Sequence, residues 1–271
     1  RFRLRTRRGM TPLVGRQAEL DMLRRRWAQA RDGEMRSILL GGEAGIGKSR
    51  VMSALRDSLA GEPHRMLPLF CSPYHLNSAF WPVLAWLRPS LGLDPRAASA
   101  EARDKLASLV GDLELDTAEA MPLLLAFLDL PGDARYGVVD TAAASFKPQL
   151  LGLLVRLFGA LARRQPLLLL VEDVHWTDPS TLELLRQVQE QLATARLLLL
   201  ITARPEFRPD WSYPQFVQIN LDRLSRRDRM AMVDRLTGGK PLPEVVLEQI
   251  VAKTDGIPLF VEELTKAVLE G

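Results

Sequence analysis

Ser37-Ile38-Leu39-Leu40-Gly41 runs directly into Gly42-Glu43-Ala44-Gly45-Ile46-Gly47-Lys48-Ser49. The first five residues read as a buried strand, the next eight fill every fixed position of G-x-x-x-x-G-K-S, and a helical pattern follows to about Leu59. Glycines let the backbone wrap closely, so that successive N–H groups face phosphate oxygens, and the helix N-terminus adds its positive end to the same place. Lys48 is placed to hold the β- and γ-phosphates. Ser49 is placed to put its hydroxyl on Mg²⁺, which keeps most of its waters and needs only one or two protein oxygens beside phosphate. The expected nucleotide-binding segment is therefore Gly42, Glu43, Ala44, Gly45, Ile46, Gly47, Lys48 and Ser49, with Arg50 behind it. The alternative is a plain glycine-rich strand-to-helix turn, and the complete motif with both correct flanks argues against it.

Working outward, further short aliphatic runs at Met66–Phe70, Leu167–Val171, Leu197–Ile201 and Phe216–Leu221 are separated by segments of helix length. Continuously apolar strands of this kind are expected to be buried on both faces of a mainly parallel sheet, which gives an α/β, three-layer P-loop NTPase fold. Leucine and alanine recur at helical spacing from about residue 78 to 164, where Pro82, Pro89, Pro122 and Pro148 interrupt, and this stretch reads as a helical insertion. After Leu221 come three helix signatures. Ser225 with Asp228 approximates a capping box, Pro243 opens the second helix, and Pro258 opens the third after a Gly256 stop. The expected organisation is a basic linker over 1–10, a core over 11–221 and a helical lid over 222–271.

Composition sets bounds on function. The 271 residues are 47% apolar and 25% charged, enough for a substantial core. Apolar runs of about five or six residues fall far short of the roughly 18 that cross a bilayer, so no membrane partner is expected. The net charge is +3, but Arg1, Arg3, Arg5, Arg7 and Arg8 sit in the first eight residues, and removing those five leaves −2. The basic character belongs to a linker-like arm, and nucleic acid is not an expected partner. The lone Cys71 forms no internal disulfide and is expected to be a small buried residue. No signal-peptide apolar region follows the arginines, which favours the cytoplasm.

A phosphate loop needs an acid at the end of a neighbouring strand, and Leu167-Leu168-Leu169-Leu170-Val171-Glu172-Asp173 supplies two. One carboxylate would orient the metal through its water shell and the other would align the attacking water. The common order is Asp then Glu, whereas Glu172 precedes Asp173 here, so the pair is assigned jointly to metal and catalysis. Asp178-Pro179 reads as a helix N-cap followed by a first-turn proline. In the loop between, Trp176 reads as a packing anchor, and His175 has no second histidine or cysteine near it to make a metal site. Thr202-Ala203-Arg204-Pro205 puts a hydroxyl and a guanidinium at the carboxyl edge of the sheet, where ligands bind in open α/β folds. Arg204 is either a γ-phosphate sensor or an arginine that caps a helix or faces solvent. Trp81 and Trp86, i and i+5, lie on different helix faces and read as core.

Thr11-Pro12-Leu13-Val14-Gly15-Arg16, the phosphate loop, Cys71-Ser72-Pro73-Tyr74-His75, Val171–Pro179, Thr202–Phe207 and Lys253–Glu263 together resemble the STAND-type branch of AAA-like signalling ATPases, over nearly the whole chain. They are similar in particular to the ATPase module of bacterial proteins in which a class III adenylate or guanylate cyclase precedes the ATPase and tetratricopeptide repeats follow. The resemblance implies that Val14, Gly15 and Arg16 lie beside adenine and ribose, that Arg204 is a sensor, and that Pro258 of Gly256-Ile257-Pro258 packs on the adenine and ties the lid to the nucleotide. It also implies flanking cyclase and TPR-type domains, while the oligomeric state, a homo-oligomer among the candidates, stays open. Glu172 departs from the branch's usual pair of aspartates.

The reading that follows is an ATP-binding, slowly hydrolysing signalling switch with Mg²⁺ as cofactor, in which Lys48, Glu172, Asp173 and Arg204 act on the phosphates. Two alternatives stand beside it. One is a non-hydrolysing scaffold whose bound nucleotide is structural; the other, weaker, is a DNA-binding ATPase resembling replication initiators.

Overall fold

Helix-period segments and aliphatic runs alternate in the structure, a computed structural model that describes residues 13–92, 99–240 and 242–270. The arginine-rich arm and Thr11-Pro12 lie outside the described residues. The chain runs α1 (Gln17–Arg31), β1 (Arg36–Gly41), α2 (Lys48–Ser58), β2 (Arg65–Phe70), α3 (Trp81–Ser90), α4 (Ser99–Asp112), α5 (Thr117–Phe127) and α6 (Phe146–Arg164). It continues β3 (Leu167–Glu172), α7 (Pro179–Gln191), β4 (Leu197–Ala203), β5 (Phe216–Asn220), α8 (Arg226–Leu236), α9 (Glu244–Lys253) and α10 (Pro258–Glu270). The five strands form one sheet in the order β2-β3-β4-β1-β5. β3 pairs in parallel with both β2 and β4, Leu169 lying opposite Leu67 on one side and Leu199 on the other.

Burial on both faces holds for the inner strands: every residue of β4 is buried, as is all of β3 except Glu172. The outer strands correct the expectation. β2 is buried only at alternate positions and β5 at none, because they end the strand order and are covered less completely.

The chain divides into two compact units. One comprises Arg25–Leu39 and Glu62–Gln218. In it Leu67, Leu69, Leu169, Val171, Leu199 and Ile201 share a core with Leu154 and Phe158 of α6 and Leu184 and Val188 of α7. The last helix of the 78–164 stretch thus covers the sheet. The three before it build a second cluster around Leu87, Leu106, Val110, Met121 and Leu124, with Trp86 partly buried between the two cores. Trp81 stacks on His75 with ring centroids 3.5 Å apart. The prolines interrupt less than expected. Pro82 and Pro148 occupy first helical turns, where an N–H would have no intrahelical partner, whereas Pro89 and Pro122 lie inside helices. Burial of Met121, Leu123, Leu124 and Leu125 around Pro122 offsets a cost of about 3 kcal/mol for an interior proline.

Asp178 shows how this unit is tied. Its carboxylate, 2% exposed, accepts hydrogen bonds from the amides of Ser180 (3.0 Å) and Thr181 (2.9 Å), from the Thr181 hydroxyl (2.6 Å) and from the amide of Phe80 (3.0 Å). It caps α7 and fixes the entry to α3 at the same time. Asp178→Ala would leave three buried amides without their acceptor, a loss of about 2–4 kcal/mol. Denaturant unfolding should show this loss, with Asp178→Asn losing less because its amide oxygen still accepts.

The other unit comprises the residues up to Arg24, Leu40–Gly61, and those from Ile219 onward. Its helices α8, α9 and α10 close on Leu224, Met232, Val233, Ile250 and Val261. The predicted caps are present: Ser225 Oγ accepts from the Asp228 amide at 3.1 Å, Pro243 is the N-cap of α9, and Gly256 adopts φ +77° just before α10. Among the described residues no helix is long and apolar enough to cross a membrane.

Candidate nucleotide-binding loop and acidic strand end

The phosphate loop has the backbone its glycines permit. Gly45 (φ +76°) and Gly47 (φ +104°) are left-handed, Gly47 being the N-cap of α2, and alternation of this kind turns successive amides inward. A side chain at Gly42 would place its Cβ 2.8 Å from Ile46 Cγ2. Lys48 is 9% exposed and its Nζ donates to the carbonyls of Gly42 (2.6 Å) and Glu43 (3.0 Å), so the ammonium is already held inside the loop. Ser49, Glu43 and Ala44 are exposed. Arg50 is half-buried, and burial lowers its guanidinium's pKa against the opposing charges of Glu262 and Asp57.

The start of α10 abuts this loop within the same unit. The Leu259 amide donates to the Gly45 carbonyl at 3.2 Å, and a Cβ on Gly45 would lie 2.9 Å from Leu259 Cβ. Pro258, at the first position of α10, has its ring 3.9 Å from where a Gly47 Cβ would stand. Left-handed backbone and close packing together predict that Gly45→Ala costs about 1–3 kcal/mol and weakens nucleotide binding. Gly61→Ala, whose added methyl has no atom of the described residues within 4 Å beyond its chain neighbours, is the neutral control for paired denaturation curves.

Val14 packs on the apolar cluster of α8, α9 and α10, and a Cβ on Gly15 would come within 2.7 Å of Asp228 Cγ. Arg16 is 6% exposed, and its guanidinium donates to the carbonyls of Ile46 (3.3 Å) and Asp222 and pairs with Glu19 (3.3 Å). The structure therefore gathers Val14, Gly15, Arg16, the phosphate loop and Pro258 in one unit, with the Arg16 side chain bracing the loop from its protein side.

In the other unit, β3 ends at Glu172, whose carbonyl accepts the Cys71 amide at 3.0 Å. Asp173 stands beyond the strand with φ +57°, its amide donating to Thr202 Oγ1 at the end of β4 (3.0 Å). The hydroxyl read at the sheet edge thus fixes the backbone of the acidic pair. Val174–Trp176 forms a single 3-10 turn. Trp176 is half-buried with the exposed Arg204 guanidinium 5.7 Å above its ring, and the His175 ring lies 5.1 Å from Trp176. Cys71 corrects the sequence expectation: it is half-buried, and desolvation pushes its thiol up to about 12, making it a poor nucleophile at neutral pH. Sequence reading missed Asp222, Arg223 and the Phe80–Asp178 bond. Partners 98 to 206 residues apart leave no periodic trace.

A mainly parallel sheet with G-x-x-x-x-G-K-S between β1 and α2 defines a P-loop NTPase. The profile of the AAA ATPase domain matches residues 12–201, well over half the chain, so the chain belongs to that family and is an ATPase-type nucleotide-binding domain. It is 28% identical over 269 residues to the uncharacterized protein R02095 of Rhizobium meliloti (strain 1021), covering 95% of this chain and 25% of that one. The chain thus spans about a quarter of that relative's length. Cdc6p from Pyrobaculum aerophilum is similar in fold, with a TM-score of 0.55 at 14% identity over 97% of this chain and 65% of that one. The Aeropyrum pernix Orc1 protein, solved in complex with DNA, gives a TM-score of 0.51 at 14% identity over 95% of this chain and 60% of that one.

Proposed function

We propose that the chain is an ATP-binding, slowly ATP-hydrolysing switch module of a multidomain signalling regulator of the STAND type. The observation that supports it most is the joining of phosphate loop and helical lid, with Gly45 and Gly47 directly against the start of α10. An element that can close on a ligand is already seated on the loop that binds its phosphates. Lys48 would hold the β- and γ-phosphates, the loop amides would cradle them, and Pro258, Val14 and Gly15 would flank the base. The loop fits the group: Gly45 and Gly47 hold the left-handed backbone that turns loop amides inward, and the buried Lys48 ammonium is held on the loop's own carbonyls.

Mg²⁺, when bound, would supply charge neutralisation at the phosphates. Ser49 would contribute a hydroxyl to it, and Glu172 and Asp173 would divide between its water shell and the attacking water. Arg204 would act as the γ-phosphate sensor, leaving the Trp176 ring to do so. Flanking cyclase and TPR-type domains, assembly with further copies and a cytoplasmic setting belong to the same proposal.

The test is to load the purified protein with MgATP, remove free nucleotide, and follow bound ATP and ADP with time. Conversion on the order of 10⁻⁴ to 10⁻² per second is expected for a switch NTPase without a supplied arginine finger. Retained ATP would replace the switch with the nucleotide-dependent scaffold. The expectation against nucleic acid gains no support from the fold neighbours, since the Orc1 protein was solved on DNA. Salt-dependent duplex binding measured alongside decides that point.

A further inference from the structure

Arg223 leaves the end of β5 with a guanidinium that reaches two separate segments. It donates to both carboxylate oxygens of Glu43, at 3.1 and 3.3 Å, and it pairs with Asp255. Glu43 is the second residue of the phosphate loop, and Asp255 immediately precedes Gly256-Ile257-Pro258 at the start of α10. One side chain thus joins the loop to the lid. Two backbone bonds run beside it: Leu224 amide to Gly256 carbonyl at 2.7 Å, and Leu259 amide to Gly45 carbonyl at 3.2 Å. A Cβ on Gly256 would sit 2.8 Å from the Leu224 carbonyl, so these segments meet at backbone distance.

Two physical consequences follow. Glu43 puts a negative charge into a loop built to hold anions, and Arg223 neutralises it where phosphates would otherwise be repelled. The Leu259 amide lies in the first turn of α10, where no intrahelical acceptor exists, so its bond to Gly45 reports contact between lid and loop and nothing else. The side chains of Arg223, Glu43 and Asp255 are 46–72% exposed, which leaves the ion network open to screening by salt.

We infer that Arg223 is a positioning residue: it latches the lid to the phosphate loop and sets how fast bound nucleotide leaves. This rests on the nucleotide-binding reading above.

Two measurements separate the latch from that reading. The first is native-state hydrogen exchange at the Leu259 amide in nucleotide-free protein, at about 0.05 and 0.5 M KCl. Arg223→Ala should exchange roughly 3- to 10-fold faster than wild type at low salt. High salt should speed the wild type toward the variant while leaving the variant nearly unchanged. The second is dissociation of a fluorescent ADP analogue, which should accelerate by a similar factor in Arg223→Ala and recover in part in Arg223→Lys. Glu43→Gln added to Arg223→Ala should recover binding but not Leu259 protection, since it removes the repelling charge without restoring the bridge. Asp255→Asn tests the lid end independently should Arg223→Ala fail to fold. Leu259 exchange within twofold of wild type in both Arg223→Ala and Asp255→Asn overturns the latch. A wild type that holds no ADP analogue overturns the nucleotide reading instead, while the exchange data still decide whether the lid is latched.

Discussion

Lys48→Ala is expected to raise the dissociation constant for MgATP at least a hundredfold. The Lys48 ammonium is already held within the loop, anchored on the carbonyls of Gly42 and Glu43 and 9% exposed. A phosphate entering the loop gains a charge-assisted bond to a donor that is ordered in advance and has little freedom left to lose. Two such bonds, to the β- and γ-phosphates, at about 1.5–3 kcal/mol each correspond to a loss of two orders of magnitude or more. Fluorescent-ATP titration measures it, and a thermal melt excludes unfolding as the cause. Wild-type affinity in the variant would remove the phosphate-loop assignment altogether.

The second large effect is on turnover. Glu172→Gln combined with Asp173→Asn should leave MgATP affinity within about threefold of wild type and lower the conversion of bound ATP by roughly 10²–10⁴. The amide substitutions suit the local backbone. Glu172 closes β3 through its main-chain bond to Cys71, which Gln retains, and Asn tolerates the φ of +57° that Asp173 adopts. The single variants divide the roles the sequence leaves joint. The residue aligning water should lose turnover at every Mg²⁺ concentration, and the one facing the metal's water shell should recover as Mg²⁺ is raised. Unchanged phosphate release in the double variant would take the acidic pair out of the mechanism.

Much of this is legible in the amino-acid sequence, for definite reasons. Ser37 to Ser49 announces strand, loop and helix because each part has a strong local preference, and the caps at Ser225 and Asp178 are likewise local chemistry. Burial of β3 and β4 follows from uninterrupted aliphatic residues, whereas strand order, and with it the exposure of β2 and β5, depends on pairings that no single run encodes. Packing of α6 on the sheet was hidden because Leu154 and Phe158 have the same helical spacing as residues of the separate cluster around Leu106 and Met121. The acids were readable as a pair, but not the Thr202 hydroxyl that fixes the Asp173 amide. Arg16 could be assigned a place, but not the Ile46 and Asp222 carbonyls on which its guanidinium closes. Long-range hydrogen bonds of this sort determine how a loop is braced and leave sequence periodicity untouched.

The stacking of Arg204 over Trp176 gives the molecule a built-in optical probe. Indole emission responds to a cation over the ring, so the proposed move of the Arg204 guanidinium from Trp176 to a γ-phosphate would change the fluorescence of that one indole. Two of the other four tryptophans sit in largely buried surroundings, Trp27 edge-on to His64 and Trp211 between Phe207 and Phe216, and give a steadier background. Under the sensor role proposed for Arg204, the signal difference between wild type and Trp176→Phe is expected to change when MgATP is added and to revert as it is hydrolysed, and an unchanged signal would remove that role.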